Sequence, residues 1–309
     1  MANRKYWKEL GTTDDYNVYI DTDSIYMMAE PLVKHRYPDY KTFDEKRMAV
    51  EVDNIATETQ TFLNSFYDLL AERFFFIPKD KHRFEIKKEY ISKAGFWVAK
   101  KRYAQWMILK NGIPCDKLDV KGLDVVRSSF PKAFQKFMST MLKDILMGKD
   151  HEYIDDTLLT FKKSLPTLPV NTIAKGGALK ELSKYDKGNW KSGDAVANFE
   201  KGTPAHVKAG ITYNRLLKFF NCPYKHEPIR DGDKVKWVYL KDNPLGLETV
   251  AFKDYNDPKE IMDFVETYVD RNKIFEAELE NKLDDFYAAM NWGAFPENNN
   301  VAKFFSFGK

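Results

Sequence analysis

Cysteine is nearly missing from this chain: Cys115 and Cys222 are the two in 309 residues, 107 positions apart and outside any CxxC spacing. Neither a disulfide framework nor a thiolate zinc site is therefore expected, and a reducing cytoplasm fits. No apolar run approaches the roughly 18 residues that a membrane span needs. The basic start, Met-Ala-Asn-Arg-Lys-Tyr-Trp-Lys, has no apolar core behind it, so neither an anchor nor a secretory signal is expected. Internal repeats are absent. Net charge is also scarce: 49 Lys and Arg stand against 46 Asp and Glu, and the resulting +3 does not by itself nominate a polyanionic partner.

What is present is the balance of a globular protein with a heavily charged surface: 43% hydrophobic, 15% aromatic and 31% charged residues. The length suffices for one large or two ordinary domains with a sizeable core. The charge is unevenly spread. Residues 79–102 hold nine Lys or Arg against three acids, a local +6, whereas 254–285 hold four against eleven, a local −7. Such separation predicts one basic working surface and an acidic region kept away from it.

Two runs rich in Val, Ile and Tyr, 17–20 and 24–28, flank Asp21-Thr22-Asp23 and read as a hairpin with an acidic tip. Val52, Ile55, Phe62, Phe66, Leu69 and Leu70 fall at helical spacing, which predicts a long amphipathic helix over 51–75 covering one face of a sheet. Residues 83–91 alternate like a strand, and 95–108 form another, rich in aromatics. This order predicts an α+β layer, an antiparallel sheet backed by helices. After about residue 124 the pattern turns helical. Ser129-Phe130-Pro131 opens a helix striped with Phe134, Phe137, Met138, Met141, Leu142 and Ile145 and closed by Gly148, and a second runs over 153–164. A loop-rich basic stretch over 175–203 is followed by a helix at 206–220. A hairpin about Asp231-Gly232-Asp233 is expected to join Ile229 to 235–239, and two acidic helices, 258–271 and 274–290, close the fold.

The sharpest chemical feature is Asp21-Thr22-Asp23-Ser24. Two carboxylates two positions apart on a strand point to one side and repel unless a cation neutralises them. Mg²⁺ does so with oxygen ligands while leaving positions open for phosphate and water. An ordinary Asp-rich turn accounts for the four residues equally well. The second feature lies 77 residues on, where Gly95-Phe96-Trp97 leads to Lys100-Lys101-Arg102-Tyr103. Three consecutive cations beside aromatics suit a strand that tracks phosphates while a Tyr or Lys reaches a base edge or sugar. A solvated edge strand guarded by lysines is the plainer alternative, but the two motifs together favour nucleic-acid chemistry.

On these residues the chain resembles the C-terminal part of family B DNA polymerases, in particular the replicative enzymes of T4-like bacteriophages. Tyr19-Ile20-Asp21-Thr22-Asp23-Ser24 is similar to that family's third palm motif, with Asn3-Arg4-Lys5 and Gly11-Thr12 leading into it. Gly95-Phe96-Trp97 with Lys100-Lys101-Arg102-Tyr103 is similar to the motif that holds the primer terminus. Ser128-Ser129 with Pro131-Lys132-Ala133 and Gln135 resembles the start of the thumb, and Gly210, Thr212-Tyr213 and Arg215 resemble a later thumb segment. The resemblance covers essentially the whole chain. It implies an antiparallel palm portion over 1–124, a mostly α-helical thumb over 125–295 and a flexible tail over 296–309. It also implies template-directed nucleotidyl transfer to a primer 3′-hydroxyl with two Mg²⁺ ions. Asp23 is then the leading metal ligand, Asp21 a supporting one, Thr22 a neighbour of the nucleotide, and Glu89 a further acid near the metals, with Glu85 as runner-up. Lys101 and Tyr103 would meet the primer end, and Lys100 and Arg102 its phosphates. Lys175, Lys180, Lys184, Lys187, Lys191 and Lys208 would face DNA from the thumb, although a solvated lysine-rich loop fits each of them nearly as well. His206 reads as a backbone contact or packed residue, because no other histidine lies at metal spacing.

Several of that family's parts are missing. No DxxSLYP-like segment supplies the second metal Asp and the triphosphate site, and no exonuclease segment is found. The stretch 60–68, Gln-Thr-Phe-Leu-Asn-Ser-Phe-Tyr-Asp, superficially matches the fingers motif but follows the acidic tip instead of preceding it, and is read as an amphipathic helix. Met1 lies a few residues before the palm motif, which leads, with an artificial fragment as the alternative, to the expectation of a naturally split polymerase. In it this chain is the C-terminal subunit of an obligate heterodimer, inactive alone, and a complementary N-terminal chain brings exonuclease, fingers and the other Asp. The partners would be primer-template DNA, dNTP and that chain, in the host cytoplasm at a phage replisome, with no membrane. Phe304, Phe305 and Phe307, flanked by Val301, match the family's terminal clamp-docking peptide; the alternative is packing onto the last helix. A rival from another class is a non-catalytic DNA-binding and clamp-tethering module on a palm and thumb scaffold.

Overall fold

A computed structural model describes residues 1–186, 199–222 and 225–293. The chain divides into two compact units, Met1–Gly122 and Leu123–Lys309. Both combine helices with antiparallel sheet, so the class is α+β.

In the first unit, helix α1 (Ala2–Leu10) leads to a hairpin of β1 (Asn17–Asp21) and β2 (Ser24–Met27), followed by α2 (Glu30–Arg36). The long helix α3 (Glu45–Phe74) begins a turn and a half before its predicted start, because the Asp44 carboxylate accepts the Arg47 N–H at 2.7 Å and caps it. Its apolar stripe does not lie flat on a broad sheet. Ile55 instead completes a core with Tyr6 and Tyr16, before and at the foot of the hairpin, and with Leu32 and Val33 of α2. Ion pairs bind the rim of this core. Arg36 reaches Glu9 at 2.6 Å and Glu58 at 2.9 Å, and Lys5 reaches Glu58 at 3.1 Å.

The stretch expected as a strand over 83–91 becomes one only at Tyr90; residues 83–89 belong to no strand. Its backbone groups are taken by side chains of α3. Asn64 donates to the Ile86 carbonyl at 3.0 Å and accepts its N–H at 2.8 Å, and Gln60 accepts the Lys88 N–H at 2.7 Å. A buried backbone needs partners, and amide side chains serve as well as a neighbouring strand. The 60–68 stretch is thus helical, with its Gln and Asn holding chain in place. Beyond it, β3 (Tyr90–Ala99), β4 (Arg102–Lys110) and β5 (Ile113–Lys121) form a meander in that order. The single strand expected over 95–108 is therefore two, folded back at Lys100-Lys101, where Lys101 adopts φ 62. A second tight turn, Asn111-Gly112 with φ 51 and 78, makes β5.

In the second unit, α4 (Lys132–Leu146) buries all six residues of its predicted stripe, and α5 (His151–Ser164) starts at Asp150, whose carboxylate accepts the Tyr153 N–H at 2.9 Å. A short helix α6 (Val170–Ile173) precedes β6 (Lys175–Ala178) and α7 (Leu182–Tyr185), and α8 (Ala205–Phe219) follows. Strands β7 (Lys234–Tyr239) and β8 (Thr249–Phe252) join β6 in a sheet ordered β6-β7-β8. The unit is accordingly less purely helical than expected. The partner of β7 is also different, since the Asp231–Asp233 turn hydrogen-bonds to Leu179 and not to a strand at Ile229. Ile229 is held by Asn214 of α8 through two bonds of 2.7 and 2.8 Å. Gly210 has no room for a side chain, because a Cβ there would sit 2.4 Å from Leu179. Helices α9 (Lys259–Tyr268) and α10 (Arg271–Phe275) close the unit, the latter running through one π turn (Glu276–Glu280) into α11 (Asn281–Ala289).

Candidate active site

The acidic hairpin tip and the basic turn, 77 positions apart in sequence, meet in the first unit. Tyr19 and Asp21 lie on one face of β1, and register places Tyr26 and Ser24 opposite them on β2. From that face the Tyr19 hydroxyl accepts the Lys101 N–H at 2.8 Å, and the Tyr26 and Tyr103 hydroxyls share a hydrogen bond of 2.7 Å. The Tyr26 ring meets Trp97 edge-on at 5.8 Å, and Trp97 stacks on Tyr103 at 6.0 Å. Trp97 can fold this way because Gly95 beneath it lacks a side chain; a Cβ there would lie 2.2 Å from the indole. On the other side, Gly122 packs so close that a Cβ would lie 2.0 Å from the Lys101 carbonyl oxygen. The basic turn is thus held from both sides, and Lys101 Nζ comes to 3.8 Å from Asp21 Oδ1.

Alternation along a strand does not place the two carboxylates. Asp21 is the last residue of β1, whereas Asp23 belongs to the two-residue turn, with Thr22 left-handed at φ 53. The donor set is all oxygen. The Thr22 hydroxyl donates to Asp21 at 3.2 Å and the Ser24 hydroxyl to Asp23 at 3.1 Å, and both carboxylates remain open to solvent. These residues have the oxygen chemistry that a hard divalent cation takes, and would form only part of its shell. Among the described residues no third His, Cys, Asp or Glu joins them in a metal-sized group.

Glu89 is not brought to this tip. Its carbonyl accepts the Asn111 N–H at the opposite end of β4, about 26 Å of strand from the basic turn. Glu85, the runner-up, lies in the 83–89 segment beside α3 and pairs with Lys87 at 3.1 Å. An acid on the strand beside β4, two residues in register from Tyr103, is Asp119 of β5, which sequence reasoning missed. It lies opposite buried Gln105 and accepts its amide at 3.3 Å, while Ser92 donates to the same Gln105 at 2.8 Å. The signal for it was the Asn111-Gly112 turn, which puts β5 beside β4. Tyr103, expected at the primer end, is buried, and burial followed by the Tyr26 hydrogen bond pushes its phenol well above the usual range.

The basic run over 79–102 is largely neutralised where it folds. Lys79 pairs with Asp68 at 2.7 Å, Lys81 with Asp80 at 3.4 Å, Lys88 with Asp53 at 2.5 Å and Lys93 with Glu45 at 3.1 Å. Most of these acids sit on α3, which a linear count cannot foresee. Lys100 has no ion-pair partner among the described residues and stands exposed at the turn. In the second unit Lys175 is bound to buried Glu278 at 2.6 Å and lies over Trp237, while Lys208 meets Glu248 at 3.0 Å and Lys184 meets Glu181 at 2.9 Å. His206 is partly buried, and burial, then the Lys175 charge, lowers its pKa. Arg215 is buried with its guanidinium 2.7 Å from Asp186, a packing role. Lys187, Lys191, Val301, Phe304, Phe305 and Phe307 lie outside the described residues.

A family model described as DNA polymerase family B matches residues 76–279. Among curated relatives, a DNA-directed DNA polymerase of Enterobacteria phage T4 is 26% identical over 284 residues, covering 87% of this chain and 30% of the relative. A DNA-directed DNA polymerase of Escherichia phage RB69 is 25% identical over 286 residues, covering 88% and 30%. The chain therefore spans about 30% of the length of the curated relatives it matches.

Proposed function

The chain belongs to DNA polymerase family B, and from that premise we propose that it forms part of the palm, and the thumb, of a DNA-directed DNA polymerase that extends a primer on a template. The boundary between the two compact units, at Gly122, is taken as the palm–thumb division. The observation that carries the proposal is the docking of the acidic hairpin, through Tyr19 and Asp21, against the Lys100-Lys101 turn. A primer terminus needs a place where phosphates are held beside carboxylates that can carry metal, and few other functions call for both at one point.

Asp23, with Asp21 behind it, would hold Mg²⁺, which when bound supplies charge neutralisation at the triphosphate and acidifies the primer hydroxyl. Lys101 has a separate task. Its ammonium, 3.8 Å from Asp21, balances that carboxylate while its backbone is fixed by Tyr19. Lys100 offers an unpaired cation to the primer strand. Tyr103, with its hydroxyl on Tyr26, keeps the two motifs in register and is a positioning residue. On this reading the remaining carboxylate, the nucleotide pocket and the fingers would come from polypeptide outside this chain's 309 residues. Phe304, Phe305 and Phe307 are proposed, on sequence, as a peptide docking on a sliding clamp; deleting 304–309 should remove clamp-dependent processivity and spare short extension.

The test is primer extension by this chain assembled with the polypeptide that supplies the rest of the polymerase. Extension is expected from the assembly, not from this chain alone, and Asp23→Asn should abolish it. Unchanged extension by Asp23→Asn would instead favour a non-catalytic DNA-binding and clamp-tethering module.

A further inference from the structure

The C-terminal end of α3 carries an aromatic surface that the candidate active site does not use. Phe74, Phe75 and Phe76 are 72, 54 and 85% exposed, and Leu69 and Phe84 beside them are 48 and 44% exposed. The cluster is ordered: Phe84 lies 5.7 Å from the Phe75 ring and stacks on His82 at 5.6 Å. Asp68 fixes its rim by accepting from His82 at 2.9 Å and Lys79 at 2.7 Å. The helix stop is unusual. Phe76 is left-handed at φ 54, and the chain turns so that the Ile77 N–H reaches the Ala71 carbonyl at 3.0 Å. Glycine normally fills such a position, and a side chain there is strained. Strain and full exposure of a large apolar ring both count against folding, so the residue has to gain its worth elsewhere.

We infer that this Phe74–Phe76 surface docks the polypeptide that supplies the rest of the polymerase. The inference rests on the functional reading above and adds the place of contact. Two observations select this occupant. The chain spans about 30% of the length of its relatives, and on the functional reading above the rest of the polymerase is seated against it. An apolar centre inside a polar, ion-paired rim is the anatomy of a protein interface. Nucleic acid fits less well. The neighbouring Lys79 pairs with Asp68 at 2.7 Å, and the charge of Lys81 is offset by Asp80 beside it. Moreover, α3, about 45 Å long, approaches β3 through Glu45, at its other end.

The test replaces Phe76 with the photocrosslinker benzoylphenylalanine in the full chain. The chain is mixed with the polypeptide of the same genome whose sequence matches the part of the phage T4 polymerase that this chain does not cover. A crosslink to that polypeptide is expected, and Phe74→Ser with Phe76→Ser should weaken its binding at least about tenfold with an unchanged circular dichroism spectrum. A crosslink only to a second copy of this chain, or to DNA, overturns the inference, as does a pair that forms with no crosslink. Primer extension separates the two levels. An active pair indifferent to Phe74 and Phe76 overturns the docking surface alone. A pair that docks through Phe76 but extends equally well with Asp23→Asn supports the surface and overturns the functional reading alone.

Discussion

The phenol of Tyr19 accepts the backbone N–H of Lys101 at 2.8 Å, joining an acidic hairpin to a basic turn 82 positions away. The bond acts on the main chain, so it sets where the turn lies whatever its lysine side chains are doing. Tyr19→Phe keeps the ring contacts with Tyr26 and Tyr103, both 5.8 Å between centroids, and removes only the acceptor. Because the turn is exposed, water can replace the phenol. The loss should be about 1 kcal/mol or less in urea unfolding. The Lys101 amide should nevertheless exchange measurably faster, and lysine-turn DNA contacts should weaken. An unchanged amide exchange rate would mean that the bond does not hold the turn.

Gly122 and Gly112 make a controlled pair. Both have positive φ, 65 and 78, so alanine at either should cost about 1 kcal/mol or somewhat more in backbone strain. Only Gly122 also faces the Lys101 carbonyl at a distance no Cβ can occupy, whereas Gly112 faces open space. Gly122→Ala should therefore be the more damaging by at least about 1 kcal/mol, and should displace the basic turn. Equal melting curves for the two variants would remove the argument that Gly122 shapes the site.

The Arg36 network predicts an acid limb in the stability of the first unit. The Glu58 carboxyl is lowered from 4.5 to about 2, first by the Arg36 hydrogen bond and then, against burial, by Lys5; Glu9 is lowered in the same direction by Arg36. A group whose folded pKa is depressed contributes stability above its unfolded pKa and loses it as pH falls through the folded one. The contribution should thus be complete above about pH 4.5 and decline towards pH 2, reduced by solvent because Glu58 is 44% exposed. Glu58→Gln should flatten this limb in urea titrations between pH 2 and 5 while changing little in the shape of the curve above pH 5.

How far these features could be read from sequence depends on where their partners lie. The two motifs were legible because each is contiguous and chemically odd, and α3 because its apolar residues repeat at helical spacing. Alternation over 83–89 misled, since period two shows an extended chain but not who takes its hydrogen bonds; here Gln60 and Asn64 do. Asn111-Gly112 was a visible hairpin signal that went unused, and with it β5 and Asp119. The quenching of Lys175 was not legible at all, because its partner Glu278 lies 103 positions away on another element.

That last pair separates a structural lysine from a working one. Lys175 holds a carboxylate whose side chain is only 6% exposed, so removing its ammonium leaves a buried charge without its counterion. Lys175→Met should cost about 2 kcal/mol in unfolding, less than for a fully buried pair since Lys175 is about a third exposed, and should change DNA affinity only through that loss. Lys100 has no such duty. Lys100→Ala should leave the urea midpoint within about 0.5 kcal/mol of the parent, yet weaken primer-template binding and reduce the slope of log affinity against log salt by about 0.9, the release of one counterion. Salt titrations of both variants decide the matter. If Lys175→Met flattens the slope as Lys100→Ala does while unfolding normally, the lysine serves DNA and its pairing with Glu278 is a resting state.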